Sequence, residues 1–132
     1  MKIFVDTNVF LDLILKRDDF DKALLLFNAV EKKLFDAVIL DITVLNIDYI
    51  AKKQVKNISD FLTLVNRNFQ VVGSSNEQIA KALLLKNDDL EDNLQYTLAM
   101  EQNCEVIVTN DKSFFSKNIK KLSSRAFVEK YI

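Results

Sequence analysis

Residues 2–15 read KIFVDTNVFLDLIL, and the reading of this stretch decides the fold. Ile3-Phe4-Val5 is a short apolar run of strand-forming residues that stops at an aspartate. Thr7 and Asn8 follow, both good helix N-caps, and then Val9, Phe10, Leu13 and Ile14 recur at helical spacing. A strand that feeds directly into a helix, with a carboxylate at the joint, begins an α/β unit. In open parallel sheets ligands sit beyond the carboxyl ends of the strands, where Asp6 would lie. The same aspartate also suits a purely structural role, because negative charge is favoured near a helix N-terminus.

Outward from this unit, strands and helices alternate. Asp18 or Asp19 starts a second helix through Ala23, Leu24, Phe27 and Val30, with Lys32 and Lys33 in its last turn. Ala37-Val38-Ile39-Leu40 reads as a buried strand ending at Asp41. Residues 42–53 run too long for a strand and are read as a buried helix, apolar on most sides (Ile42, Val44, Leu45, Ile47, Tyr49, Ile50). Residues 58–69 give an amphipathic helix with Phe61, Leu62 and Val65 inward, and Gln70-Val71-Val72 is a short strand. Ser74-Ser75-Asn76-Glu77-Gln78 is a capping box before a helix over 79–86. Asp88-Asp89-Leu90-Glu91-Asp92 opens the next helix, which runs to about 102 with Leu90, Leu94 and Leu98 as its buried stripe. Residues 105–109 form the clearest strand, and a turn at Asn110-Asp111 leads to Phe114-Phe115 and a basic patch of Lys117, Lys120, Lys121 and Arg125. Ala126-Phe127-Val128 is expected to add an edge strand. The pattern implies an α/β protein, a three-layer α/β/α sandwich around a mainly parallel sheet, as a single domain over 1–132.

Composition narrows the chemistry. With 49% hydrophobic and 28% charged residues the chain can bury a real core, which argues against disorder. No apolar run approaches the roughly 18 residues of a membrane span, and Met1-Lys2 leads into no signal-peptide core. The one cysteine, Cys104, cannot form an internal disulfide, so a cytoplasmic location is expected and the thiol is read as packing beside a strand. There is no histidine, which removes Ser-His-Asp and Cys-His catalysis. The single glycine, Gly73, cannot build a Walker A loop or a GxGxxG turn. Net charge is −1, so any nucleic-acid binding must be local.

Carboxylates remain, and the sheet brings several of them together. Asp6 follows the first strand, Asp111 follows the 105–109 strand, and Asp92 sits in the first turns of the helix leading into it. Asp89 and Asp92 are three apart and share a helix face. Gathering acids raises their pKa values unless a cation is present. An oxygen-only donor set suits Mg²⁺ or Mn²⁺ rather than zinc or copper, and such an ion serves phosphodiester hydrolysis. Asp88, Asp89 and Glu91 are read instead as capping and dipole acids, and Asp6, Asp92 and Asp111 jointly as the site.

The segments KIFVDTNVFLD, DLEDNLQYTLA and EVIVTNDKSFF, in that order, resemble the PIN domain, the fold of VapC-type toxin ribonucleases. That family shows a strand ending in D-[TS]-[NS], a helix carrying D-x₆-A, and a strand ending in T-x-[DN] followed closely by Phe. Asp92 with Ala99, and Thr109-Asn110-Asp111 with Phe114, satisfy the second and third. The resemblance implies that Asp6, Asp92 and Asp111 are metal ligands and catalytic residues. It implies that Thr7, Asn8 and Thr109 position water or phosphate, and that the activity is Mg²⁺- or Mn²⁺-dependent cleavage of RNA. One position departs: where the family usually carries a glutamate, in a pattern like E-L-x-Y, this chain has Asn46 in Asn46-Ile47-Asp48-Tyr49. Asn46 is therefore expected at the substrate side of the site with one negative charge fewer. Asp48 lies about 200° around the helix and should point elsewhere. Asp41, at the end of the second strand, is a conjectural replacement.

The expected function is thus a metal-dependent endoribonuclease cleaving single-stranded RNA, the toxin of a toxin–antitoxin pair. RNA, an antitoxin protein and a second copy of the chain are the expected partners, with no membrane. The alternative is a catalytically weak or inactive PIN-like module that binds RNA or a protein, with Asn46 as the mark of lost activity. A phosphotransferase of the DxD kind is disfavoured, because Asn8 stands where its second acid is needed. The basic patch fits either a solvated face or an RNA-binding groove. The phenylalanines are most simply core, with some on the first helices as candidates for a partner surface.

Overall fold

The computed structural model describes all residues from Met1 to Ile132. Five strands, β1 (Lys2–Val5), β2 (Asp36–Leu40), β3 (Gln70–Val72), β4 (Val106–Val108) and β5 (Lys120–Leu122), form one sheet in the order β3-β2-β1-β4-β5. Every neighbouring pair is parallel, with Phe4 opposite Val38 and Ile107, and Val5 opposite Val108. Seven helices join them: α1 (Thr7–Ile14), α2 (Phe20–Glu31), α3 (Asp41–Ala51), α4 (Ile58–Asn68), α5 (Asn76–Leu84), α6 (Leu90–Glu101) and α7 (Ser124–Tyr131).

Strand side chains alternate between two cores, as the pleat requires. Ile3, Val5, Ala37, Ile39, Val106 and Val108 face a layer containing α1, α2, α3, α4 and α7, where Phe10, Phe27, Ile47, Val65 and Phe127 are buried. Phe4, Val38, Leu40 and Ile107 face α5 and α6, against Ala82, Leu94, Leu98, Ala99, Cys104 and Phe114. Both faces of the sheet are covered, which is why β1, β2 and β4 are continuous apolar runs. The sandwich expected from the sequence is therefore the architecture found. Cys104 packs in the second core as expected, and burial pushes its thiol up to about 11.

Phe27 stacks on Phe61 at 5.8 Å, and Phe10 meets Phe69 edge-on at 5.0 Å. Phe10 of α1 and Phe27 of α2 thus serve the core, whereas Phe20, at the start of α2, is half-buried and belongs to neither core.

Four local expectations need correction. Ala126-Phe127-Val128 lies within α7, not in an edge strand: Ser123 caps that helix by accepting from Ala126 N at 3.0 Å, and Phe127, Val128 and Tyr131 follow helical spacing. The edge strand is Lys120–Leu122, whose polar look comes from being an edge, where lysines guard unpaired backbone. The third helix forms where expected, but it buries only the stripe Thr43, Ile47 and Ala51, leaving Leu45 68% and Tyr49 73% exposed. Finally, Leu24 and Leu90 turn outward, the inward positions being taken by Ala23, Leu26, Phe27 and Val30 on α2 and by Leu94 and Leu98 on α6.

Candidate functional site

The chain lays β1, β2 and β3 to one side and then crosses to place β4 and β5 on the other, so β1 and β4 flank the point where strand order reverses. In open α/β sheets this is the point, beyond the carboxyl ends of the strands, where ligands bind. Asp6 enters it directly from β1, its backbone N–H donating to Val108 of β4 at 3.0 Å. Thr109 and Asp111 enter from the end of β4, and Asp92 from the first turn of α6.

Asp6 is buried and fixed at both oxygens. Thr109 Oγ1 donates to Oδ2 at 2.7 Å, and Gln95 Nε2 donates to Oδ1 at 3.0 Å. Thr109 Oγ1 in turn accepts from Asp111 N at 3.1 Å, so one hydroxyl ties two of the expected ligands together. Asp111 Oδ1 accepts from Ser113 N and Oγ at 2.9 and 2.7 Å. Asp92 is buried, and its N–H is capped by Asp89 Oδ1 at 3.1 Å, which gives Asp89 the capping role read from the sequence.

The electrostatics bear out a gathering of like charges. Burial pushes the Asp92 carboxyl up to about 7, reinforced by the negative fields of Asp6, Asp89, Asp111 and Glu91. Burial also raises Asp6, against the lowering effect of its bonds from Thr109, Gln95 and Thr7, with Asp111 adding repulsion. Glu91 is raised by burial first, then by Asp6 and Asp89. No lysine or arginine forms an ion pair with Asp6, Glu91, Asp92 or Asp111. No three of the acids close into a ready metal cage; they are near enough to repel but not drawn onto one point. The donor set nonetheless fits a hard divalent cation: all oxygen, anionic and uncompensated. Gln95 Oε1 is a buried acceptor with no protein donor, beside Asp6, where a water would satisfy it.

The expected positioning residues are near the acids, but several spend their side chains on one another. Thr7 Oγ1 and Thr43 Oγ1 share a buried hydrogen bond at 2.9 Å, fastening α1 to α3. Asn8 Oδ1 accepts from Asn110 N at 3.3 Å. Asn46 Nδ2 donates to Glu91 Oε1. Asp48 points away as expected, 3.8 Å from Lys52. Asp41 is exposed and turned toward the end of β3, where a Cβ on Gly73 would stand 3.1 Å from its Oδ2. It is no replacement for the absent glutamate.

Three contributors were not singled out from the sequence. Gln95 sits three residues after Asp92 on the same helix face, a spacing that could have disclosed it. Glu91 was set aside as a dipole acid. Asn110 ties the site to the C-terminal helix: its Nδ2 donates to Asp12 at 2.6 Å, and its Oδ1 accepts from Ser124 N and Oγ at 2.9 and 3.0 Å. Beside Asp111 a groove of about 470 Å³ is lined by Thr109, Asn110, Lys112, Lys121, Ser123 and Arg125. Two members of the basic patch therefore stand next to the acids. Lys121 is held by the carbonyls of Lys112 and Phe114, and Arg125 pairs with Asp19 at 3.2 Å.

Comparison with known proteins identifies the family and the fold. A sequence model described as the PIN domain matches residues 2–113. Ribonuclease VapC1 of Aquifex aeolicus is 31% identical, over 98% of this chain and 95% of its own length. Among solved structures, a toxin-antitoxin complex from Klebsiella pneumoniae superposes with a TM-score of 0.70 at 20% identity, covering 92% of this chain and 97% of that one. VapBC2 from Rickettsia felis, bound to a DNA fragment from their promoter, gives 0.67 at 19%, covering 93% and 98%. At these identities the structural likenesses speak for the fold.

Proposed function

Because this chain belongs to the PIN-domain family, of the VapC type, we propose that it is an endoribonuclease that cleaves single-stranded RNA with a bound Mg²⁺ or Mn²⁺. The observation that carries the reading is the uncompensated acidic cluster of Asp6, Asp92 and Asp111 at the switch point of the sheet. Those three would hold the ion, which when bound activates water and neutralises charge developing on the phosphate. The protein's own part is positional. Thr109 and Gln95 pin Asp6, and Thr109 holds the Asp111 backbone against it. Asp6 and Asp92 are buried and Asp111 half-buried, and away from water charge–charge interactions are stronger. Lys112, Lys121 and Arg125, along the adjoining groove, supply positive charge for a phosphate chain despite the net charge of −1. One solved structure of the same fold is a toxin-antitoxin complex, and we extend that role to this chain, with an antitoxin as its protein partner.

The test is cleavage of a single-stranded RNA by purified protein. Cleavage is expected with Mg²⁺ or Mn²⁺, none in chelator, and none for Asp92→Asn in either condition. Cleavage that persists in chelator would overturn metal dependence. Metal binding without cleavage of any RNA would favour the inactive, RNA- or protein-binding module.

A further inference from the structure

We propose that Glu91 is the fourth acid of the site, facing the cation in the place left by residue 46, and that Asn46 is the residue that holds it there. This rests on the metal-dependent reading above. Residue 46 lies in the middle of α3, the helix that follows β2, and its half-buried side chain reaches across to the first turn of α6. An amide there can do what a glutamate cannot: donate a hydrogen to a carboxylate. Asn46 Nδ2 does so to Glu91 Oε1, joining helices from opposite layers of the sandwich. Glu91 is next to Asp92 in sequence but on a different side of α6, about 100° round. Asn46 stands three residues along α3 from Thr43, on the same side of that helix, and Thr43 Oγ1 shares a 2.9 Å hydrogen bond with Thr7, the residue next to Asp6. The Glu91 carboxylate is thus held on the side of α3 that meets the residue next to Asp6.

The rival explanation is a surface cross-link between α3 and α6 with no bearing on the ion. The two differ in what a relocated charge does. A cross-link needs any donor–acceptor pair. A fourth acid needs one negative charge at this spot, on either helix. The neighbours of metal ligands typically govern affinity by 10- to 100-fold.

The experiment is calorimetric titration of Mn²⁺ into the wild type, Asp92→Asn, Glu91→Gln, Asn46→Ala and the double variant Asn46→Glu/Glu91→Gln, with melting curves in chelator confirming that each is folded. Glu91→Gln and Asn46→Ala are each expected to weaken Mn²⁺ binding by on the order of tenfold. The double variant, which moves the charge from α6 to α3, is expected to recover most of it. If Glu91→Gln binds as the wild type while Asp92→Asn does not, the inference is overturned and the three-aspartate site stands. A double variant no better than Glu91→Gln also overturns it. A wild type that binds no Mn²⁺ takes down both.

Discussion

At the scale of single residues, Asp6 and Asp92 illustrate two ways to keep a carboxylate in a crowded, buried place. Asp6 is compensated by hydrogen bonds at both oxygens, whereas Asp92 receives repulsion from four acids. Its carboxyl, at about 7 against an ordinary 3.8, holds a proton in the folded state that the unfolded chain has already lost. A folded state that binds more protons than the unfolded one loses stability as pH rises. Metal-free protein is therefore expected to melt at progressively lower temperature from pH 4 to about 7 and to level off above, as Asp6 and Glu91 add to the same trend. Asp92→Asn removes the share of Asp92, so in chelator at pH 8 it should melt no lower than the wild type. A large loss of stability at every pH would instead make Asp92 a structural cap. The position of Asp92 was legible from its spacing to Ala99 and from the family pattern. The role of Gln95 was not, because a buried glutamine announces itself only through the partner it meets, 89 residues away in the chain.

At the scale of elements, the helices had to be terminated in a chain with one glycine. α1, α2 and α6 end in the same two-bond motif, with Lys16, Lys33 and Asn103 in the left-handed conformation that glycine usually fills. On α2, Lys33 N bonds the Val30 carbonyl and Leu34 N the Ala29 carbonyl, both at 3.0 Å. A lysine at φ 64° is strained relative to glycine by roughly 1–2 kcal/mol. Lys33→Gly should therefore raise stability by about 1 kcal/mol, part of the gain being lost to the freer unfolded chain, as measured by urea unfolding. These endings were invisible in the sequence for want of glycines, and the helix was expected to run on through Lys32 and Lys33. The last element was misread for a related reason: an apolar triplet, Ala126 to Val128, looks like a strand until Ser123 is recognised as its cap. By contrast β1, β2 and β4, buried on both faces, were legible as apolar runs. Asn110 joins α7 and the end of α1 to the site loop. Asn110→Ala leaves their donors and acceptors unmatched, and should destabilise by about 1–3 kcal/mol in the same assay.

At the scale of the whole molecule, the strand order β3-β2-β1-β4-β5 creates the site, because only the reversal between β1 and β4 brings residues 6 and 111 together. The order of the motifs along the chain carried that arrangement, and so the fold was legible in the sequence. What could not be read was the link between Asn46 and Glu91, residues 45 apart that meet across two layers. The exposed side of α3, with Leu45 and Tyr49, and the polar groove beside Asp111 are two separate surfaces of the molecule. Asp6, Asp92 and Asp111 are proposed to hold one divalent ion between them. Anomalous diffraction from a crystal soaked in Mn²⁺ tests this proposal most directly. A peak ringed by the carboxylates of Asp6, Asp92 and Asp111, drawn closer together than in the metal-free protein, is the predicted result. No peak beyond the ends of β1 and β4 at saturating Mn²⁺, or a peak held by other residues alone, would contradict it.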